Sequence, residues 1–371
     1  MIKYLGSKRV LIPALVEAVA ALPGVGAVAD LFAGTSRVGH ALKGRGYRVV
    51  ANDHNAYAEA LARCYVQADG DELASDVARH LGELREVAAA ATVARDRGYV
   101  TRTFCEESRF FRPENGARID AVRRELARRA DAGDLGGDPR AGRAPGAAPA
   151  DRRAAELEAV LLVALMEAAD RVDSTTGVQM AYLKAWAPRA ERPLELRAPA
   201  LLPRAAHGKG RALGLEAADA ARAVADDVDA CYLDPPYNQH KYLGNYHVWE
   251  TLVRDDAPEA YGVARKRVDC RERRSAFNSK GAIAGALAEV VEAALSGTRV
   301  RHLLLSYSDE GFLSADAIEA LLAPHGTVTV TARDHARYVG ARIGIHNPAG
   351  ERVGTIGRLT NRELLFRLDR T

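Results

Sequence analysis

The sequence has no apolar run of about eighteen residues, which excludes an ordinary membrane-spanning helix. Its start, Met1-Ile2-Lys3-Tyr4-Leu5-Gly6, has no apolar stretch ending at a cleavage site, so a secretory signal is not expected. Cysteine is scarce: 4 in 371 residues, at Cys64, Cys105, Cys231 and Cys270. That spacing makes neither a zinc knuckle nor a disulfide framework, so a cytoplasmic chain without a metal site is expected. Two nucleotide-binding signatures are also missing. There is no GxGxxG fingerprint, and no Gly-Lys-Ser/Thr follows a glycine turn. Lysine is rare, with eight against 44 arginines, a bias that a GC-rich genome explains. The net charge of +3 is too small to imply a polyanionic partner.

What is present is an ordinary globular balance, 48% hydrophobic and 27% charged, in a chain long enough for one large domain or two. The charge is uneven. Arg95 to Arg129 carries ten arginines and six acids, and Arg265 to Lys280 carries seven basic residues and two acids. Such local excess suits a surface that follows phosphates.

Residues 1–68 read as strand, turn, helix, strand, helix. A helix is expected over Leu11 to Ala21, strands over Val25 to Phe32 and Tyr47 to Ala51, and helices over Arg37 to Lys43 and Asn55 to Val66. That order implies a parallel sheet. Residues 69–205 read as a mostly helical insert, with a strongly apolar helix from Glu156 to Ala169. Inside it, 131–150 is dense in Gly, Pro and Ala and is expected to be a disordered loop. The α/β pattern returns over 206–371. Strands are expected at Asp229 to Leu233 and Arg301 to Ser306, helices at Ala282 to Leu295 and Ala315 to Leu322. Two late strands, Thr327 to Ala332 and Leu364 to Leu368, suit an antiparallel hairpin at a sheet edge.

Two strand ends carry the chemistry. Asp30-Leu31-Phe32-Ala33-Gly34 follows the first strand, where small residues and a helix start leave backbone N–H groups for a ligand. The second strand ends at Asn52-Asp53, and a carboxylate there can hold both hydroxyls of a ribose. Taken alone this is also what any tight strand-to-helix turn looks like. Asp234-Pro235-Pro236-Tyr237 is sharper. Its prolines stiffen the backbone and remove two donors, so a carboxylate and a rigid carbonyl can both accept from one planar amine. Tyr237 adds a face for stacking, as a flipped-out base requires.

These residues resemble the Dam-like alpha group of adenine-N6 DNA methyltransferases. Lys3-Tyr4-Leu5-Gly6-Ser7-Lys8 is similar to that family's amino-terminal cofactor motif, Asp30 to Gly34 to its cofactor turn, and Asp234 to Tyr237 to its DPPY motif. The order of turn, insert and DPPY is the alpha-group order. The resemblance implies a Rossmann-like α/β sheet with helices on both faces, interrupted by a helical target-recognition insert. It implies S-adenosylmethionine held by Tyr4, Lys8, Asp30, Phe32, Gly34, Asp53, Asp219 and Asp234, with Asp234, Pro235, Pro236 and Tyr237 catalytic. Two features depart from the pattern. Gly34-Thr35-Ser36 stands where a second glycine is usual, and Val172 to Lys184 resembles a branch other than Dam itself.

The implied reaction is a direct in-line methyl transfer to adenine N6 in duplex DNA, so the absence of a Pro-Cys nucleophile is no obstacle. Cys231, inside a strand, reads as core. Cytosine N4 or an RNA base remains the alternative substrate, and a dinucleotide oxidoreductase or a non-catalytic DNA-binding module the alternative class. The segment Asn238 to His247 is expected to close over the nucleotide, and Ser306-Tyr307-Ser308 to wall its pocket. Lys241, Arg271, Arg273 and Arg274 are expected to contact DNA phosphates, and Arg337 and Tyr338 to be structural. Partners implied are duplex DNA and a cognate restriction endonuclease, with the chain a monomer or weak dimer.

Overall fold

A computed structural model describes residues 1–4, 10–144, 146–239, 241–336 and 360–370. The chain forms two compact units, one of residues 1–220 and 241–274, the other of 221–240 and 275–371.

In the first unit, three parallel strands follow one another in register. These are β1 (Ala27–Asp30), β2 (Arg48–Asn52) and β3 (Arg211–Leu213), with Asp30 opposite Ala51 and Asn52 opposite Leu213. β1 is buried on both faces, as a parallel strand covered by helices requires. The helices α1 (Ile12–Ala20), α2 (Arg37–Gly44) and α3 (Ala56–Ala62) alternate with the strands, and α3 runs on into a π-helical turn, Arg63–Gln67. The sequence pattern foresaw all five elements within a few residues.

The insert contributes α4 (Gly70–Ala90), α5 (Val93–Asp96), α6 (Pro113–Ala132) and α7 (Pro149–Arg171) to the same unit. This differs from the expected division at residues 68 and 205. The reason lies in α7, which is buried throughout from Ala154 to Asp170. Its acids are out of water and must be paired. Glu156 accepts from Gln67 and Lys209, Glu167 from the Tyr65 hydroxyl and the N-terminal amine, and Asp170 from Lys3. These bonds stitch the insert helix to the first 68 residues and to the chain beyond it.

The stretch 131–150, expected to be a disordered loop, is folded at the residues described. α6 ends on Gly133 in the left-handed conformation, Leu135 is buried, and Ala141–Arg143 makes a 3₁₀ turn. A Cβ on Gly142 would stand 1.9 Å from the Asp151 carbonyl oxygen, so glycine here permits close backbone packing onto α7. Arg143 pairs with Glu158 at 2.7 Å. Composition showed no apolar bulk because the segment packs mainly through its backbone.

After β3 come α8 (Ala217–Val224) and β4 (Ala230–Leu233). The first unit then resumes with α9 (Tyr242–Asn245), α10 (His247–Arg254) and a small ribbon, β5 (Ala260–Tyr261) and β6 (Lys266–Arg267). The second unit holds β4, α11 (Ile283–Ala294), β7 (His302–Ser308), α12 (Ala315–Leu322), β8 (Gly326–Ala336) and β9 (Thr360–Arg370). β4 pairs in parallel with β7, and the late hairpin is present with β9 against β7 and β8 outermost. Thr327 and every residue from Thr329 to Arg333 are exposed, which suits an edge strand. The main sheet thus has seven strands, mostly parallel and flanked by helices, as a Rossmann-like methyltransferase fold requires. No helix among the described residues is long and apolar enough to cross a membrane.

Candidate active site

In the first unit the expected cofactor residues gather around the ends of β1 and β2. Asp30 is the last residue of β1 and is buried, and Phe32 is half-buried in the turn that follows. Gly34 has φ +50°, and a Cβ there would meet the Tyr4 ring at 3.3 to 3.5 Å. Only glycine therefore combines this turn with the tyrosine lying against it. The Gly34 N–H donates to Asp53 Oδ2 at 3.1 Å, while Asp53 Oδ1 accepts from the N–H and the side-chain amide of Asn55. The carboxylate thus fixes the glycine turn and the start of α3 together. Asn52 does the same for the strand ends. Its amide donates to the Leu31 and Leu215 carbonyls, and its oxygen accepts from the Leu215 N–H. Asp219 is exposed in the first turn of α8, six residues past the end of β3. Lys8 lies outside the described residues, as do Arg337 and Tyr338.

A tyrosine cluster backs the turn. Tyr4 stacks on Tyr246 with ring centres 4.5 Å apart and on Tyr242 at 5.4 Å, and its hydroxyl is 3.3 Å from that of Tyr57. Burial holds the Tyr4 and Tyr57 hydroxyls well above their usual range, so both stay protonated. Tyr242 and Tyr246 belong to the stretch expected to close over a nucleotide. In the structure they flank and form a helical turn and serve as packing for Tyr4. Sequence reading missed this use, and it missed Glu250. That carboxylate is fully buried on α10 and accepts from the Tyr57 N–H at 3.1 Å and from Arg273 at 2.9 Å. The available signal was a lone acid among apolar residues in His247 to Val253, with an arginine-rich stretch downstream to pair it.

In the second unit, Asp234 and Tyr237 are half-buried at the end of β4 and Pro235 is buried. All peptide bonds there are trans. The Tyr237 carbonyl accepts from the Phe312 N–H at 3.0 Å, and the Asn238 carbonyl accepts from the Asn278 side chain at 2.8 Å. The Tyr237 ring meets Tyr307 edge-on, centres 5.7 Å apart. Tyr307 of the expected pocket wall is therefore in contact with the motif, and it is itself held by the Leu313 N–H. Ser306 accepts from the buried Tyr232 hydroxyl and is part of the core. Cys231 is buried with its thiol pushed up to about 12 by desolvation, which leaves it no nucleophilic use.

The basic segment splits. Arg271 and Arg274 are exposed, and Lys241 is half-buried just before α9. Arg273 is not available as expected. It bonds the buried Glu250 and the His54 carbonyl, because a buried carboxylate needs a cation close by. Arg267 is likewise buried between Asp256 and Asp269.

The fold is a Rossmann-like α/β sheet with both motif turns at the ends of buried strands. Comparison with known families sharpens this. The D12 class of N6 adenine-specific DNA methyltransferases matches residues 4–308, and the chain belongs to that family. It is 30% identical over 307 residues to the type II methyltransferase M.FokI of Planomicrobium okeanokoites, covering 80% of this chain and 42% of that protein. It is 28% identical over 317 residues to the type II methyltransferase M.NlaIII of Neisseria lactamica, covering 83% of each. The chain thus spans less than half the length of one of these relatives and most of the other.

Proposed function

We propose that this chain transfers the methyl group of S-adenosylmethionine to N6 of adenine at a specific site in duplex DNA. We further infer that it is the modification half of a restriction–modification pair with a cognate endonuclease, as the type II relatives suggest. The observation that carries the reading is the Asp-Pro-Pro-Tyr turn at the end of the buried strand β4, in a chain of this family.

The residues of the first unit fit the donor. Asp53 offers a carboxylate already aimed at the glycine turn, and Ser36 Oγ and Asn55 Oδ1 are buried without a hydrogen-bond partner among the described residues. A polar, adenosine-bearing ligand would satisfy such atoms. Tyr4, Asp30, Phe32, Gly34, Asp53 and Asp219 are the residues proposed to hold it. When bound, the cofactor supplies an electrophilic methyl on a sulfonium. The rest is done by this chain. The lone pair of an adenine amine is conjugated with its ring and is a poor nucleophile. Asp234 and the Pro235 carbonyl would accept its two N–H bonds and turn the lone pair out of conjugation. Tyr237 would stack on the ring and hold it out of the duplex.

Single-molecule sequencing of DNA from a host expressing the chain tests this. N6-methyladenine in one sequence context is the expected result. N4-methylcytosine, or no modified base, would overturn it.

A further inference from the structure

Helix α3 is capped from outside. Its N-cap residue is Asn55, a type whose side chain ordinarily accepts from the second or third N–H of its own helix. Here it makes no such bond. Its amide donates instead to Asp53 Oδ1 at 3.0 Å, and its own Oδ1 is buried without a hydrogen-bond partner among the described residues. The cap comes from α10. The fully buried Glu250 accepts from the Tyr57 N–H at 3.1 Å, the second of the helix. A carboxylate at that end also suits the helix dipole. The remote cap therefore leaves Asn55 to Asp53.

Arg273 completes the arrangement. One nitrogen of its guanidinium donates to Glu250 Oε1 at 2.9 Å and another to the His54 carbonyl at 3.1 Å. That carbonyl and the Asn55 N–H are the two ends of one peptide group, and the Asn55 N–H donates to Asp53 Oδ1 at 2.9 Å. So Arg273 grips on one side the peptide that holds the carboxylate on the other. A peptide whose oxygen accepts from a cation is also a better donor at its nitrogen. Only the backbone of His54 is used, since its ring meets Glu216. With Gly34 donating to Asp53 Oδ2, both carboxylate oxygens have a fixed direction, although Asp53 is only half-buried.

We infer that Arg273, aligned by Glu250, is a positioning residue for the methyl donor: through the His54–Asn55 peptide it sets the Asp53 carboxylate that receives the ribose hydroxyls. The inference rests on the reading of Asp53 as the ribose residue and deepens it. A carboxylate left unheld on a turn samples several rotamers, and hydroxyls on two adjacent carbons are served by few of them. Neither Arg273 nor Glu250 touches the donor. Their effect on binding is confined to the ribose, and that separates positioning from general support of the fold.

The test is calorimetry on the full chain without DNA, using S-adenosylhomocysteine and its 2′,3′-dideoxy form. The ratio of the two affinities reports what the ribose hydroxyls contribute. Arg273→Gln should lower that ratio about fivefold, by weakening the hydroxylated form while the dideoxy form binds within about twofold of wild type. Asp53→Asn should lower it further. Arg273→Gln added to Asp53→Asn should then change it by less than about twofold, because one path carries both effects. An equal loss on the two forms, or full additivity with Asp53→Asn, would overturn the positioning role and leave Arg273 as support for the fold. So would a ratio lowered in Asp53→Asn and unchanged in Arg273→Gln. A ratio unchanged in Asp53→Asn would break the reading of Asp53 itself, and the positioning role with it. Should Arg273→Gln fail to fold, Arg273→Lys replaces it against the same outcomes, since lysine keeps a cation beside Glu250 but lacks the fork that spans both acceptors.

Discussion

The glycine turn after β1 and the proline turn after β4 both close a fully buried parallel strand, yet they are stiffened in different ways. The first has little rigidity of its own. Gly34 is held by Asp53 from the next strand end and by Tyr4 from the amino terminus, and Tyr4 is in turn held by Tyr57, Tyr242 and Tyr246. The second carries rigidity of its own in Pro235 and Pro236, with the Tyr237 and Asn238 carbonyls accepting from Phe312 and Asn278. A turn built by distant side chains can be loosened from many places. One built by its own residues is sensitive mainly to changes within it.

The largest effect should come from within the proline turn. Asp234→Ala should lower methyl transfer by at least about 10³-fold, because the carboxylate stabilises charge that develops on the amine in the transition state. Binding of S-adenosylmethionine, measured by calorimetry, should stay within twofold of wild type. Turnover within tenfold of wild type would remove Asp234 from the chemistry.

Arg273→Gln breaks the support of the glycine turn from a distance. It takes the hydrogen-bonded cation from buried Glu250, leaving Arg254 at 3.8 Å, and frees the His54 carbonyl, at a cost of roughly 2 kcal/mol. Chemical denaturation should show the loss, and Glu250→Gln in the same chain should restore most of it. The salt slope of duplex binding should not change. A slope shallower by about one unit would return Arg273 to the phosphate-binding surface.

Asp170 offers a pH test of the same support, since it holds Lys3, the residue before Tyr4. Burial raises its folded pKa from 3.8 to about 6. The folded chain therefore binds the extra proton, and this contribution to stability is present at low pH and is lost as pH rises through 6. Asp170→Asn should remove that slope, and the gain in stability at pH 7 should be on the order of 2 kcal/mol. Parallel pH profiles of the thermal midpoint for the two proteins would show that Asp170 titrates normally.

The smallest expected effect is on cofactor affinity. Asp53→Asn should weaken S-adenosylmethionine about tenfold, the worth of a charge-assisted hydrogen bond, while turnover at saturation falls much less. A fall in turnover with unchanged affinity would mean that Asp53 acts only through the turn.

Residues in short-range patterns were legible from the chain alone. Strand and helix periods located the α/β elements, because a buried parallel strand is a short apolar run and an amphipathic helix repeats at fixed spacing. The Asp234 to Tyr237 motif was legible because its geometry is encoded in four adjacent residues. What the sequence could not specify was which side chains become partners across long separations. The arginines of 265–274 look alike in sequence, yet Arg273 and Arg267 are held by Glu250, Asp256 and Asp269 while Arg271 and Arg274 face solvent. Residues 131–150 read as loose because composition registers apolar bulk, whereas Gly142 packs by backbone contact with α7. The insert read as a separate domain because its boundary is compositional. Only the folded chain shows that the acids of α7 find their partners at Met1, Lys3, Tyr65, Gln67 and Lys209. A buried charge takes its counterpart from whatever the tertiary fold brings within reach, and no local pattern carries that information.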